Sequence, residues 1–238
     1  LVIDGLASEK GVRRLSRDCI GAGPRAVCGV LEQRKINCRI TLAEAVLREP
    51  RIMKSFDVIM FSGMSIDVKS ARKVSRLARK LLGEKVPLII GGPIAGDAER
   101  ILYTTDFQVA VIGEGEKTLD ELLDKGLRDG ELPNMEELNE IKGICYKTES
   151  GEVVLNPLRP IMRREELNKY TPSTERVKDY PHYEFARVYV EVVRGCSNFR
   201  RTKLRLRDGR ECIGCKRCET GDLEERAECP VKINPGCG

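Results

Sequence analysis

"FDVIMFSGMSIDVKSARKVSRLARKLLGEKVPLIIGGP", residues 56–93, is the stretch whose reading decides the fold. It opens on an almost continuous apolar run, 56–63, of the kind found in strands buried on both faces. Residues 65–83 then change period. Val68, Ala71, Val74, Leu77, Ala78 and Leu81 recur at steps of three and four, which predicts a helix, and Gly83 ends it. A second apolar run follows at 86–92. Strand, amphipathic helix and strand in succession predict a parallel sheet with helices on both faces.

The pattern extends in both directions. "LVID" (1–4) reads as a strand, and "GAGPRAVCGVLEQRK" (21–35) as a glycine-rich turn into a helix with Pro24 in its first turn. "NCRI" (37–40) is a second strand; Thr41, with Glu44 three residues on, predicts a capping box at the next helix. Helix 97–105, strand 107–115 and helix 117–126 complete five strands within residues 1–125. That is the content of a flavodoxin-like, doubly wound α/β domain. Residues 126–140 are polar and acidic and read as a linker. A hairpin is predicted over 143–156, turning at Glu149, Ser150 and Gly151. The four-proline segment 157–183 reads as an extended connector with a short helix near 163–169. "ARVYVEVVRGC" (186–196) is a new β-branched strand. The expected layout is therefore a first domain over 1–125, a linker with hairpin over 126–185, and a second domain from 186 to 238.

The 238 residues are 41% apolar and 33% charged, with no Trp, so the core must be built from Val, Ile and Leu. No apolar run approaches the roughly 18 residues a membrane span needs. The opening "LVIDGLASEK" lacks a basic n-region, so we read no signal peptide there. We therefore expect a cytoplasmic protein with no membrane partner. Leu1 in place of Met, and a cysteine pattern that runs out at Gly238, lead us to expect a piece of a longer chain. The net charge of +5 is weak grounds for a nucleic-acid partner, and the basic side of helix 65–83 reads as a solvated face.

In open α/β sheets, ligands bind at the carboxyl ends of the strands. Those ends carry Ser62, Gly63 and Ser65, then Gly91 and Gly92, then Gly113, Glu114 and Gly115. Glycine there lets backbone approach a ligand. βα turns favour glycine anyway, but its repetition along one edge points to a binding groove. Glu114 and Glu116 could bond a ligand, or simply favour the dipole of the helix that follows.

Five of the ten cysteines fall in residues 211–238. Cys212-x2-Cys215-x2-Cys218, with Cys229 followed by Pro230, has the spacing of a 4Fe–4S ligand set. A four-cysteine zinc site is the alternative, although zinc sites more often use two separated C-x2-C pairs. Both readings stay open. Cys19, Cys28, Cys38 and Cys145 are scattered and read as small buried apolar residues.

"VIMFSGMS", "VPLIIGGP" and "VAVIGEGEKTLDELL", followed by "YVEVVRGC", resemble in order and spacing the radical S-adenosylmethionine (SAM) proteins that carry an N-terminal cobalamin-binding-type domain, among them uncharacterised archaeal members. The resemblance is firmest over 56–125 and 186–238. It implies that residues from 186 onward open a partial TIM-like radical-SAM barrel bearing a cysteine-rich insertion. Cys196 and Cys237 would be two of the three ligands of a site-differentiated 4Fe–4S cluster, and Cys212, Cys215, Cys218 and Cys229 an auxiliary site. It further implies SAM as cosubstrate, its reductive cleavage to a 5′-deoxyadenosyl radical, methyl or methylthio transfer as the candidate outcome, and a reductant such as ferredoxin or flavodoxin. The substrate stays open, RNA and protein alike.

Three departures qualify this. Arg200 stands where the C-x3-C spacing after Cys196 expects a cysteine, and the third cluster ligand would have to lie beyond Gly238. The D-x-H-x-x-G motif is absent, and the one histidine, His182, sits in the connector, so cobalamin would gain no histidine from the sheet edge. A non-catalytic zinc module binding nucleic acid through "RRTKLRLRDGR" (200–210) is the alternative function.

Overall fold

The computed structural model describes residues 1–5, 19–181 and 183–190. The chain divides into two units. The first, Leu1–Arg159 with Arg164–Tyr189, holds every element named below; the second, Pro160–Arg163 with Val190–Gly238, falls almost wholly outside the described residues.

The strands of the first unit are β1 (Val2–Asp4), β2 (Cys19–Ile20), β3 (Ile40–Leu42), β4 (Ile59–Ser62), β5 (Leu88–Gly91), β6 (Val109–Val111), β7 (Ile144–Lys147), β8 (Val153–Leu155) and β9 (Arg187–Val188). Its helices are α1 (Gly23–Gln33), α2 (Ala43–Arg48), α3 (Val68–Leu82), α4 (Ala98–Thr104), α5 (Glu116–Asp124), α6 (Met135–Glu140) and α7 (Arg164–Leu167). Seven strands form one sheet in the order β3-β1-β4-β5-β6-β7-β8. The first five are parallel, and counted among themselves in chain order they run 2-1-3-4-5, the flavodoxin-like doubly wound order. The predicted hairpin, β7–β8, continues this sheet by pairing antiparallel to β6.

Alternation along each parallel strand builds a core on both faces of the sheet. Ile3, Ile59, Phe61, Leu88 and Ile90 pack with Ala71, Val74 and Ala78 of α3 and with Leu102 of α4. Val2, Met60, Ile89 and Val109 turn the other way, toward Val30 of α1 and Leu119 and Leu122 of α5. Phe61 and Phe107 meet as a tilted aromatic pair, centroids 5.9 Å apart.

Three local expectations need correction. Thr41 does not cap α2. Pairing of Val2 with Ile40 and Ile3 with Thr41 draws Thr41 into β3, and the helix begins two residues later, at Ala43. Residues 126–140 are not only linker. Asn134 accepts from Glu137 N and Glu137 accepts from Asn134 N, each at 3.0 Å, a capping box that starts α6 and seats Leu138 in the core. Finally, the described start of strand 186–196, β9, pairs in parallel with β2 as a separate two-stranded ribbon within the first unit.

The proline-rich connector makes few backbone ladders and is held by side chains instead. Asp179 accepts from Ile40 N at 2.7 Å and so occupies the open edge of β3. Ser173 N donates to Arg25 O at 2.8 Å, and Ser173 Oγ donates to Glu32 at 2.9 Å. Tyr180 Oη donates to Asp4 Oδ2 at 2.6 Å, both groups buried. Burial first, and the Asp4 carboxylate second, push the Tyr180 phenol far above its ordinary range. At neutral pH it is therefore protonated and donates to Asp4. Tyr180→Phe removes that donor from a buried carboxylate and is expected to cost about 1–3 kcal/mol in urea unfolding.

Candidate functional site at the carboxyl edge of the sheet

Strand order places the switch point between β1 and β4, since the chain leaves β1 toward β3 on one side and later returns to β4 on the other. In this architecture a crevice forms there, outside the carboxyl ends. The structure brings the predicted residues together at this edge. Gly5 N donates to Ser62 O at 2.8 Å, Gly63 N donates to Gly91 O at 3.1 Å, and Gly63 O accepts from Ile94 N at 3.0 Å. The turns after β1, β4 and β5 are thus laced to one another. Gly91 pairs with Val111 of β6, which brings Gly113, Glu114 and Gly115 to the same edge. Ser65 is exposed in the turn leading to α3.

Each glycine has its own role. Gly92 has φ 86° and ψ −171°, a backbone region that essentially only glycine occupies. A Cβ there would lie 2.9 Å from Gly63 O and 3.5 Å from Ser62 Oγ. Gly92 therefore permits the close approach of two backbones. Gly113 (φ 76°) would place a Cβ in open space, so its bare backbone faces outward from the edge. Gly115 needs no special conformation, and its Cβ would meet only Val111 Cγ1, at 3.5 Å. Met64 and Ile66, directly after the Ser62–Gly63 turn, are exposed at 49% and 43% and give the rim an apolar component.

Sequence reasoning missed two supports of this edge. Asp67 is fully buried, and its Oδ2 accepts from Met64 N at 2.9 Å. The same carboxylate lies under Gly5, where a Cβ would come within 2.7 Å of it. One side chain thereby fixes the turns after β1 and β4. The signal for it was an Asp three residues after Met64, in "MSID", a helix-start pattern. The second is Arg25, in the first turn of α1. It is buried and donates to Gly21 O at 3.1 Å, Ser173 O at 3.4 Å and Tyr189 O. Desolvation pulls its guanidinium below the ordinary arginine range, and three carbonyl acceptors compensate. Nothing in the sequence marked Arg25 as buried, because its partners lie about 150 residues away.

The remaining candidates divide sharply. Cys196, Cys212, Cys215, Cys218, Cys229 and Cys237, together with His182 and Arg200, lie outside the described residues. Among the described residues no group of three or more His, Cys, Asp or Glu is placed to hold a metal. Cys19, Cys28 and Cys145 are buried as expected; burial pushes the Cys145 thiol up to about 11. Cys38, half-buried, lies with its sulfur 3.9 Å from Cys28 O. No helix among the described residues is long and apolar enough to cross a membrane.

A five-strand flavodoxin-like order with a glycine-built carboxyl edge is shared by several nucleotide- and cofactor-binding families. Residues 11–123 match the B12 binding domain family. The matched span runs from the segment after β1 to the end of α5, and so contains the whole glycine edge beyond Gly5. The chain is 41% identical over its full length to an uncharacterised protein of Methanocaldococcus jannaschii, and 39% identical to one of Methanopyrus kandleri. It spans about two fifths of each, 42% and 41%. Among solved structures, the apo form of the cobalamin-dependent S-adenosylmethionine radical enzyme OxsB superposes on 86% of this chain with a TM-score of 0.55. That alignment takes in 28% of OxsB at 19% identity, so it is a likeness of fold.

The matched region suits a corrin in one respect that the structure itself supplies. Gly113 and Gly115 leave bare backbone at the same edge that carries exposed Met64 and Ile66, so a wide, largely apolar ring could lie close to the edge. The region has no histidine among its described residues.

Proposed function

We propose that this chain is the cobalamin-binding part, and the beginning of the catalytic part, of a radical-SAM iron–sulfur enzyme. The observation that carries the reading is the coincidence of the B12-binding match over 11–123 with the glycine-laced edge at the switch point. The likeness of fold to OxsB, extending past that span, supports a radical-SAM association for the rest. Cobalamin in such an enzyme supplies a cobalt centre able to carry a methyl group or an electron. The residues at the edge would seat and orient it: Ser62, Gly63 and Ser65 after β4, Gly91 and Gly92 after β5, and Gly113, Glu114 and Gly115 after β6. Met64 and Ile66 would exclude water from its rim. Cys196 and Cys237 would belong to the SAM-binding cluster, and Cys212, Cys215, Cys218 and Cys229 to an auxiliary cluster. The oxidoreductase or transferase activity and its substrate belong to the longer protein.

Two measurements test this. The chain mixed with hydroxocobalamin should retain it through gel filtration at close to one equivalent. Because no D-x-H-x-x-G histidine is present, the EPR spectrum of the reduced, cob(II)alamin form should show no superhyperfine splitting from a protein imidazole. Failure to retain cobalamin at all would remove the reading. Separately, anaerobically prepared chain should contain iron and sulfide in near-equal amounts, both reduced in Cys212→Ala. About one zinc and no iron would instead make the cysteine tail a structural zinc module.

A further inference from the structure

The layer of helices that includes α3 carries a charge pattern that cofactor binding does not use. The four exposed positions of α3 are Lys69, Lys73, Arg76 and Lys80, and the helix contains no acidic residue. They fall at intervals of four, three and four residues, one continuous stripe about 16 Å long at about 1.5 Å per residue. Helix α2 and the turn Pro50–Ser55 pack along α3 and add exposed Arg48, Arg51 and Lys54. The opposite layer is the reverse. Residues 116–140 carry nine carboxylates against three cations, two of which are paired, Lys117 with Glu166 and Lys125 with Glu140, and Arg34 after α1 pairs with Asp120 and Asp124. Among the described residues, Lys73, Arg76, Lys80, Arg48, Arg51 and Lys54 have no carboxylate partner.

We infer that this face is a docking surface for the phosphate backbone of a duplex nucleic acid. Three features favour that occupant. Exposed Glu44 and Glu49 interrupt the cations of residues 43–55, but no acidic residue interrupts Lys73, Arg76 and Lys80 on α3; such a run of like charges is unfavourable in the free protein and is relieved by a polyanion. A protein partner would need an apolar or aromatic centre in the interface, and every exposed position of α3 is cationic. Single-stranded nucleic acid would need aromatic platforms for its bases, and neither α3 nor residues 43–55 contains an aromatic residue. What remains is backbone recognition: sequence-independent, electrostatic, and released by salt.

The test uses the 238-residue chain and fluorescently labelled 20-base-pair duplexes, one RNA and one DNA, followed by anisotropy. Binding at low salt should be micromolar. Engagement of about four phosphates should weaken it by about a hundredfold between 50 and 200 mM salt, for either duplex or for one of them. The exposed triple variant K73E/R76E/K80E should bind at least about thirtyfold more weakly, with a flatter salt dependence. K73Q/R76Q/K80Q should fall between it and the parent. Circular dichroism should be unchanged in both, since none of these side chains is buried. Three results would overturn the inference: no duplex binding at 50 mM salt; binding unchanged by the triple reversal but abolished by reversal of Arg200, Arg201 and Lys203; or binding of an acidic protein such as a flavodoxin through this face with no duplex bound.

Discussion

Gly29→Ala is expected to destabilise the chain by about 3 kcal/mol, lowering the thermal midpoint by about 6–12 °C for a domain of this size. In an isolated helix the same change would stabilise by about 1 kcal/mol, because alanine is the better helix former. The sign is reversed by what crosses the helix. A Cβ on Gly29 would collide with Thr171 O and lie 2.9 Å from Thr171 C and 3.1 Å from Pro172 Cα. All three are backbone atoms, so no side chain can swing aside. Either the connector lifts off α1 or the helix moves away from the sheet. Lifting the connector breaks the bond from Ser173 N to Arg25 O and the bond from Ser173 Oγ to Glu32, and it uncovers the buried Arg25 guanidinium. Equilibrium urea unfolding reads the loss, and limited proteolysis between residues 170 and 189 should accelerate with it. A gain in stability would show that the connector is not seated on Gly29 in solution.

That glycine also marks where reading the sequence stops. The doubly wound order was legible because its signals are local: unbroken apolar runs at 56–63 and 86–92, and a clean three–four period between them. The glycine edge was legible because glycines recur at the carboxyl ends of successive strands. The connector was not. Its bonds join residues more than a hundred positions apart, Arg25 with Ser173, Asp179 with Ile40, Tyr180 with Asp4, and no periodicity encodes such pairs. Gly29 inside a helical pattern was the one visible sign that a backbone comes close there. Thr41 shows the opposite failure. Its capping pattern is real, yet pairing across β1 and β3 outweighs a local preference worth about 1 kcal/mol. The helix-start patterns that do form caps, Asn134 with Glu137 and Met64 with Asp67, were not expected, and they lie where no strand competes for the chain.

The second large effect separates the shape of the edge from its contact with ligand. Gly92→Ala should cost about 1–3 kcal/mol, since φ 86° with ψ −171° is closed to alanine and the new methyl would meet Gly63 O at 2.9 Å. Relief requires the turn after β5 to move away from the turn after β4. That shift breaks the Gly63 N to Gly91 O bond and misaligns both turns. Hydroxocobalamin affinity should then fall by more than tenfold, although loss of fold could produce the same fall. Gly115→Ala removes that ambiguity. At φ −87° alanine is unstrained, and its Cβ would meet only Val111 Cγ1 at an ordinary 3.5 Å. Its thermal midpoint should stay within about 2 °C of the parent, because no buried contact is lost. If the corrin lies against the bare backbone of β6's turn, the added methyl should still weaken binding, by about tenfold, through steric exclusion alone. Unchanged affinity in Gly115→Ala beside a large loss in Gly92→Ala would move the cofactor off β6 and toward the β4–β5 turns. Loss in both, with only Gly92→Ala destabilised, would locate the ligand across all three.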